Sequence, residues 1–379
     1  MMRIEIPLSA PDVGEAEIAA VVAVLRGSRL SLGPKMVEFE QAVADYAGVP
    51  HGVAVSSGTA GLHLALLALG VGPGDEVIVP SFTFIAVANA VRYVGARPVF
   101  ADIDAASLNV APGSVEAAIT PRTRAMIAVH TFGRPAEMDA LLELAARHKL
   151  RVIEDACEAV GAEIGGQRVG SFGDAGVFAF YPNKQITTGE GGVVVTRDTG
   201  AAARMRALRN HGRYESQQAE ASWLDCAELG YNYRLSEMQC ALGLAQLGRI
   251  EEILTRRAAV ARRYGEMLGG HSELRLPAMD VPGQRLSWFV YVVRLGERFT
   301  RADRDRVVRA LAKAGIATGR YFAPIHEQPA YAAWREARWL PVTDAVAGRT
   351  LALPFFNGIS EEQMGRVCAA LEAAIKAQG

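Results

Sequence analysis

From residue 51 to about residue 197, short apolar runs alternate with longer stretches whose apolar residues recur at helical spacing. The run at 53–55 predicts a strand, 60–69 a helix, 77–79 a strand, 84–94 a helix and 98–101 a strand. Residues 125–129, 136–148 and 151–154 continue as strand, helix and strand. This alternation predicts an α/β fold, a parallel sheet with helices on both faces. Ligands of such sheets bind beyond the carboxyl ends of the strands. The polar residues at those ends are therefore the ones to weigh.

The flanks read differently. Ile18, Val21, Val22 and Leu25 mark a helix over 15–25, stopped by Gly27, with a turn at Gly33-Pro34. Met36, Phe39, Val43 and Tyr46 mark a second helix over 35–46. Residues 200–265 are mainly helical, with a polar loop at 213–225 and one long helix or two over 236–262. From about 266 the pattern is α+β: a strand at 288–295, a helix at 301–314, a loop around Pro324 and a last helix at 360–377. The expected organisation is an N-terminal arm and helix (1–34), a large domain (35–250) and a smaller α+β domain (251–379).

Composition narrows the function classes. The 379 residues are 50% hydrophobic, enough for a large core, and length alone suggests about two domains. A net charge of -1 gives no basic excess for nucleic acid or an anionic membrane. No apolar run reaches the ~18 residues of a membrane span, and the first residues lack the apolar core of a signal peptide. Cys157, Cys226, Cys240 and Cys368 are scattered without CxxC spacing, so neither disulfides nor a zinc site is expected. The seven histidines lack the i, i+4 pairing of a helical metal site. A cytoplasmic protein without a zinc or helical metal site is the expectation.

The candidate chemistry centres on 178–192, FAFYPNKQITTGEGG. Two strands joined by this polar, glycine-rich loop would hold Lys184 on a rigid edge, its amine in a cleft. Such a lysine can form a Schiff base with an aldehyde. Three other features fall at strand ends. Ser57-Gly58-Thr59-Ala60 opens a helix, where free N–H groups and the helix dipole favour a phosphate. Asp155 follows a strand and could hydrogen-bond a protonated pyridine nitrogen, with Glu158 one helical turn on. Phe84 could lay its face on an aromatic ring. Taken singly, each has an ordinary reading: a solvated lysine, a helix cap, a surface carboxylate, a core aromatic.

Together, SSGTAGLHLAL at 56–66, PSFTFIAVANAV at 80–91, EDACEAVGAEIGG at 154–166, VGSFGDAGVFAFYPNKQITTGEGG at 169–192 and GYNYRLSEMQCALG at 230–243 resemble the DegT/DnrJ/StrS family. Its members are pyridoxal-phosphate-dependent sugar aminotransferases of aspartate-aminotransferase fold type I. The resemblance runs from Gly33 to LPFF at 353–356. It implies a mostly parallel seven-stranded sheet between helices, and a Schiff base on Lys184. It also implies Asp155 on the ring nitrogen, Gly58, Thr59 and Ala60 on the phosphate, Phe84 over the ring and Glu158 near the ring hydroxyl, where many members carry glutamine. Asn232 would reach the phosphate of the other subunit in a homodimer. Tyr181, His211, Tyr321 and His326 would shape the substrate cleft. Many members have serine five residues before the lysine; Ala179 stands there. The implied reaction is ping-pong transfer of an amino group from L-glutamate to a nucleotide-linked keto sugar, with a 4-keto-6-deoxy sugar favoured. Arg213, Arg234 or Arg320 could meet a diphosphate. A cyclitol ketone acceptor and a non-catalytic cofactor-binding regulator are the alternatives. A histidine in place of the lysine would mark the related dehydratases.

Overall fold

The computed structural model describes residues 4–214, 225–334 and 340–378, so most of the loop expected at 213–225 lies outside the described residues. Helices α1 (Glu15–Leu25) and α2 (Pro34–Ala47) open the chain. Pro34 takes the first helical position, where its missing N–H costs nothing. Gly48, at φ 79, ends α2 in the left-handed conformation that glycine adopts without strain. The free N–H groups of Gly33, Lys35 and Met36 converge on the buried carboxylate of Glu237, at 3.1, 2.9 and 2.9 Å.

The alternating region follows as β1 (His51–Val55), α3 (Gly58–Ala68), β2 (Glu76–Pro80), α4 (Ala86–Tyr93), β3 (Arg97–Ala101), α5 (Pro112–Ala118), β4 (Thr123–Val129), α6 (Met138–His148) and β5 (Arg151–Asp155). A small hairpin, β6 (Glu163–Ile164) and β7 (Gln167–Arg168), precedes β8 (Ala175–Ala179), β9 (Gly192–Thr196) and α7 (Thr199–Arg209). Seven strands form one sheet in the order β1-β9-β8-β5-β4-β2-β3. Among them β9 alone runs backward, antiparallel to both β8 and β1. The sheet is therefore mostly parallel, and both faces are covered. Val53, Val77, Val79, Ile153 and Val194 pack under α3, α4 and α7, while Phe178, Val193 and Val195 pack with Phe39 and Val43 of α2. Strand alternation accounts for the split between Val194 and its neighbours.

The helical stretch expected at 236–262 is two helices, α8 (Glu237–Gly248) and α9 (Ile250–Leu268), broken where Arg249 leaves helical geometry at φ -121. Ser236 and Gln239 cap α8 reciprocally, satisfying two free N–H groups. The remaining chain supplies β10 (Leu274–Arg275), β11 (Gln284–Arg285), β12 (Tyr291–Leu295), α10 (Arg301–Lys313), α11 (Pro341–Ala347), β13 (Thr350–Leu353) and α12 (Glu361–Lys376). Strands β10-β12-β13 form a small sheet that buries Tyr291, Val293, Leu351 and Leu353 against α9, α10 and α12. The strand expected at 288–295 begins only at Tyr291, and α4 begins at Ala86 rather than Phe84. No described helix is long and apolar enough to cross a membrane.

Candidate active site

The carboxyl ends of β1, β2, β5 and β8 open onto one cavity of about 390 Å³. Its walls include Gly58, Thr59, Thr83, Phe84, Asp155, Glu158, Ala179, Tyr181 and Lys184 from the large-sheet side. Phe289, Tyr321 and Phe322 close it from the C-terminal part of the chain.

Lys184 lies in the connection between β8 and β9 and is held by that hairpin. Its backbone N–H donates to Tyr181 O at 2.9 Å, and Thr188 N–H returns to Phe180 O at 3.0 Å. Its amine sits 3.7 Å from Glu158 Oε1 and 4.1 Å from the centroid of the Phe289 ring, with the side chain 14% exposed. Arg257 fixes that ring's backbone, donating to Trp288 O at 2.6 Å and Phe289 O at 2.7 Å. Burial lowers the Arg257 pKa to about 10.

Asp155 ends β5, which runs between β4 and β8. The preceding Glu154 is fully buried and anchors the strand. It accepts N–H bonds from Gly170, Phe172 and Gly173, and faces His130 Nε2 at 3.0 Å. The Nδ1 of that histidine accepts Ala136 N–H at 3.0 Å, so its proton lies on the Nε2 facing Glu154. Alternation along the strand then turns the next carboxylate, Asp155, into the cavity, where it accepts Cys157 N–H at 3.1 Å. Glu158 accepts Phe132 N–H at 2.9 Å. Burial pushes its carboxyl above the usual range, against the opposing pull of the Lys184 charge. Burial and the charge of Asp155 also push the Cys157 thiol well up, which keeps it protonated and inert.

The cavity floor at α3 has the form of an anion cradle. A Cβ on Gly58 would lie 2.8 Å from both Ala179 Cβ and Cys157 Sγ, so only glycine lets the backbone approach there. Ser57 Oγ caps α3 by accepting Ala60 N–H at 3.1 Å; Ser57, Gly58 and Thr59 line the cavity and Ala60 does not. Asn183 Oδ1, also in the lining, is buried without a partner among the described residues. An amine, two carboxylates, a helix N-terminus and an unpaired amide oxygen suit a phosphate-bearing aromatic aldehyde.

Some expected site residues lie elsewhere. His326 faces Ser81 Oγ at 2.7 Å and Asp344 Oδ1 at 3.1 Å, outside the cavity lining. His211 occupies a turn at φ 63, its N–H on Tyr231 O at 2.9 Å. Asn232 is exposed and bridges Asn210 through its backbone. Arg234 donates to Asn210 Oδ1 at 2.8 Å and Arg320 pairs with Asp305 at 3.4 Å, so neither faces the cavity, nor does Arg213 line it. Phe84 is 61% and Tyr181 52% exposed, at the mouth rather than the floor. Sequence reasoning missed Phe289, Phe322, Cys157 and Asn183. Of these, Asn183 alone left a signal, as the neighbour of Lys184.

Residues 11–372 match the DegT/DnrJ/EryC1/StrS aminotransferase family. GDP-perosamine synthase of Caulobacter vibrioides is 44% identical over 346 residues, 91% of each chain. Among solved structures, S. venezuelae DesV superposes with a TM-score of 0.88 at 39% identity, over 97% of this chain and 98% of that one. Spr1654 of Streptococcus pneumoniae, in its PLP form, gives 0.91 at 29% identity, over 98% and 99%. With its fold, the cavity at the strand ends and a match over nearly its whole length, the chain belongs to the DegT/DnrJ/EryC1/StrS aminotransferase family.

Proposed function

We propose that this enzyme transfers an amino group from L-glutamate to a nucleotide-linked 4-keto-6-deoxy sugar, using pyridoxal phosphate held in the cavity described above. The observation that carries this reading is the convergence of Lys184, Asp155 and the α3 N-terminus on one cavity. The 44% identity to a GDP-perosamine synthase favours GDP as the nucleotide.

When bound, pyridoxal phosphate supplies an aldehyde for the amine and a ring that accepts electrons from a neighbouring carbanion. The Lys184 Nζ would hold that aldehyde and, as a free amine, would serve as the proton carrier of the site. Asp155 holds a proton at the ring nitrogen. Gly58 and Thr59 N–H groups, with the α3 dipole, bind the phosphate. Glu158 orients the ring's hydroxyl side. Phe289, Tyr321 and Phe322 exclude water above the amine. Donor and acceptor use the same pocket in turn, which makes the kinetics ping-pong. A homodimer completes the site: Asn232 is exposed for a partner's phosphate, and Leu30, Leu32, Val37 and Leu229 leave apolar surface for a second copy to cover.

The test is spectroscopic. L-glutamate alone should remove the aldehyde absorbance of the cofactor-loaded protein, and a GDP-linked 4-keto-6-deoxy sugar should restore it. Absorbance unmoved by any amino acid would make the protein a binding regulator instead.

A further inference from the structure

Phe132, whose N–H holds Glu158, also borders a second cavity, of about 90 Å³, that neither Lys184 nor Asp155 lines. It lies between residues 105–108, residues 131–134 and the β10-β12-β13 sheet. Arg134, Arg275 and Arg294 line it together with Thr131 and Thr350. Both threonines are 1% exposed, yet neither Oγ1 has a hydrogen-bond partner among the described residues, nor does the buried Nε of Arg134. Buried polar atoms left unpaired in this way call for a ligand or water. A larger cavity, about 260 Å³, shares Ala105, Arg275 and Arg294 and adds Arg349.

The charges are arranged against their own repulsion. Arg275 and Arg294 are register partners across β10 and β12, so both side chains leave the same face of the sheet. Like charges so placed destabilise a strand pair. Arg349 directly precedes Thr350, the register partner of Arg294 on its other side. Arg134, Arg294 and Arg349 donate to the carbonyl oxygens of Ala106, Ala105 and Ala345, at 3.0, 2.8 and 3.0 Å. No ion pair engages these arginines or Arg275 among the described residues. Burial, and then the charges of Arg349 and Arg275, lower the pKa of Arg294. Nearby, Asp104 spends Oδ1 on the N–H groups of Ala106 and Ser107, and Glu297 is exposed on the larger cavity.

We propose that the smaller cavity is a phosphate site, distinct from the cofactor cradle, in which Arg134, Arg275 and Arg294 and the hydroxyls of Thr131 and Thr350 hold one phosphate group. Guanidinium groups match phosphate oxygens in charge and in fork geometry. A cavity of about 90 Å³ has room for a phosphate group. The larger cavity gives room for the organic part of a phosphate ester. Because the ligands come from the segment after β4 and from the β10-β12-β13 sheet, occupancy ties the two parts of the chain together beside Phe132.

The test uses cofactor-loaded enzyme, so that the cradle at Gly58 is filled. Inorganic phosphate is titrated at constant ionic strength by calorimetry, with melting temperature followed in parallel. A hexose monophosphate serves as the second arm. Saturable binding of one phosphate per chain is expected, weakened at least 10-fold by Arg275→Ala and by Arg294→Gln. The hexose monophosphate should compete with inorganic phosphate for that site. Arg275→Ala, an exposed position, should melt higher than the parent in phosphate-free buffer, because the opposed charge is gone, and lower than it in saturating phosphate. Absence of saturable binding to the parent enzyme, or unchanged affinity in the Arg275→Ala, Arg294→Gln double variant, overturns the proposal.

Discussion

The Lys184 amine and the Glu158 carboxylate stand 3.7 Å apart, both side chains largely buried, and burial outweighs their attraction in setting the carboxyl's pKa. A carboxyl whose folded pKa is raised destabilises the fold once pH climbs past its unfolded value. Below that value both states are protonated and the penalty vanishes. Glu158→Gln is therefore expected to melt higher than the parent at pH 7–8 in the cofactor-free protein. The gap should close as pH falls toward 4.5, and Gln Oε1 should still accept Phe132 N–H. Melting curves across pH check this; a gap that widened in acid would reverse the assignment.

Lys184→Ala should reduce the glutamate half-reaction by at least ~10³-fold, since it removes both the anchoring amine and the proton carrier. Asp155→Asn keeps shape but not charge and should cost roughly 10²-fold or more in rate. Stopped-flow absorbance on the loaded proteins measures both. A Lys184→Ala variant turning over at near-parent rate would remove the basis of the mechanism.

Ala179 lines the cavity opposite Gly58, at the position where the family resemblance implied a serine hydroxyl. Adding one, as Ala179→Ser, should tighten cofactor binding by about 5-fold, the equivalent of ~1 kcal/mol for one hydrogen bond. Fluorescence titration of the cofactor-free protein reads this directly. Unchanged or weaker affinity would mean that another donor already fills the position.

Away from the site, Arg249 gathers Asp12 and Glu17 at 2.9 and 2.7 Å and so ties α1 to the α8–α9 junction. Burial alone would raise both carboxyls, but the hydrogen bonds from Arg249, with Gln246 on Glu17 and Asn357 on Asp12, hold them below their usual values. Lowered carboxyl pKa values stabilise above the unfolded range and lose that stabilisation as pH falls through the folded values. Arg249→Met should cost about 2 kcal/mol at pH 7 by denaturant unfolding, with the deficit shrinking below pH 4. A deficit independent of pH would point to lost packing instead.

Much of this was legible in the chain. The apolar runs around 77, 99, 127 and 153 could only be buried strands, and Lys184 and Asp155 stood beside such runs. What stayed hidden depended on long-range pairing. Phe289 sits just before β12, in a run where any aromatic reads as core, and only folding brings it against the amine. The opposition of Arg275 and Arg294 needs β10, whose two residues leave no periodicity to detect. The loop around Pro324 gave no direction for His326, whose ring turns to Ser81 and Asp344.

The backward course of β9 has a bearing on how this catalyst tolerates change. In a helical crossover, extra residues can lengthen the helix while the strand ends keep their stations. Between β8 and β9 both ends are locked, Ala179 opposite Gly192, so added length has nowhere to go but the tip that bears the reactive nitrogen. Reach of the reagent and span of the hairpin are one dimension, and an insertion there detunes the chemistry before it disturbs the architecture.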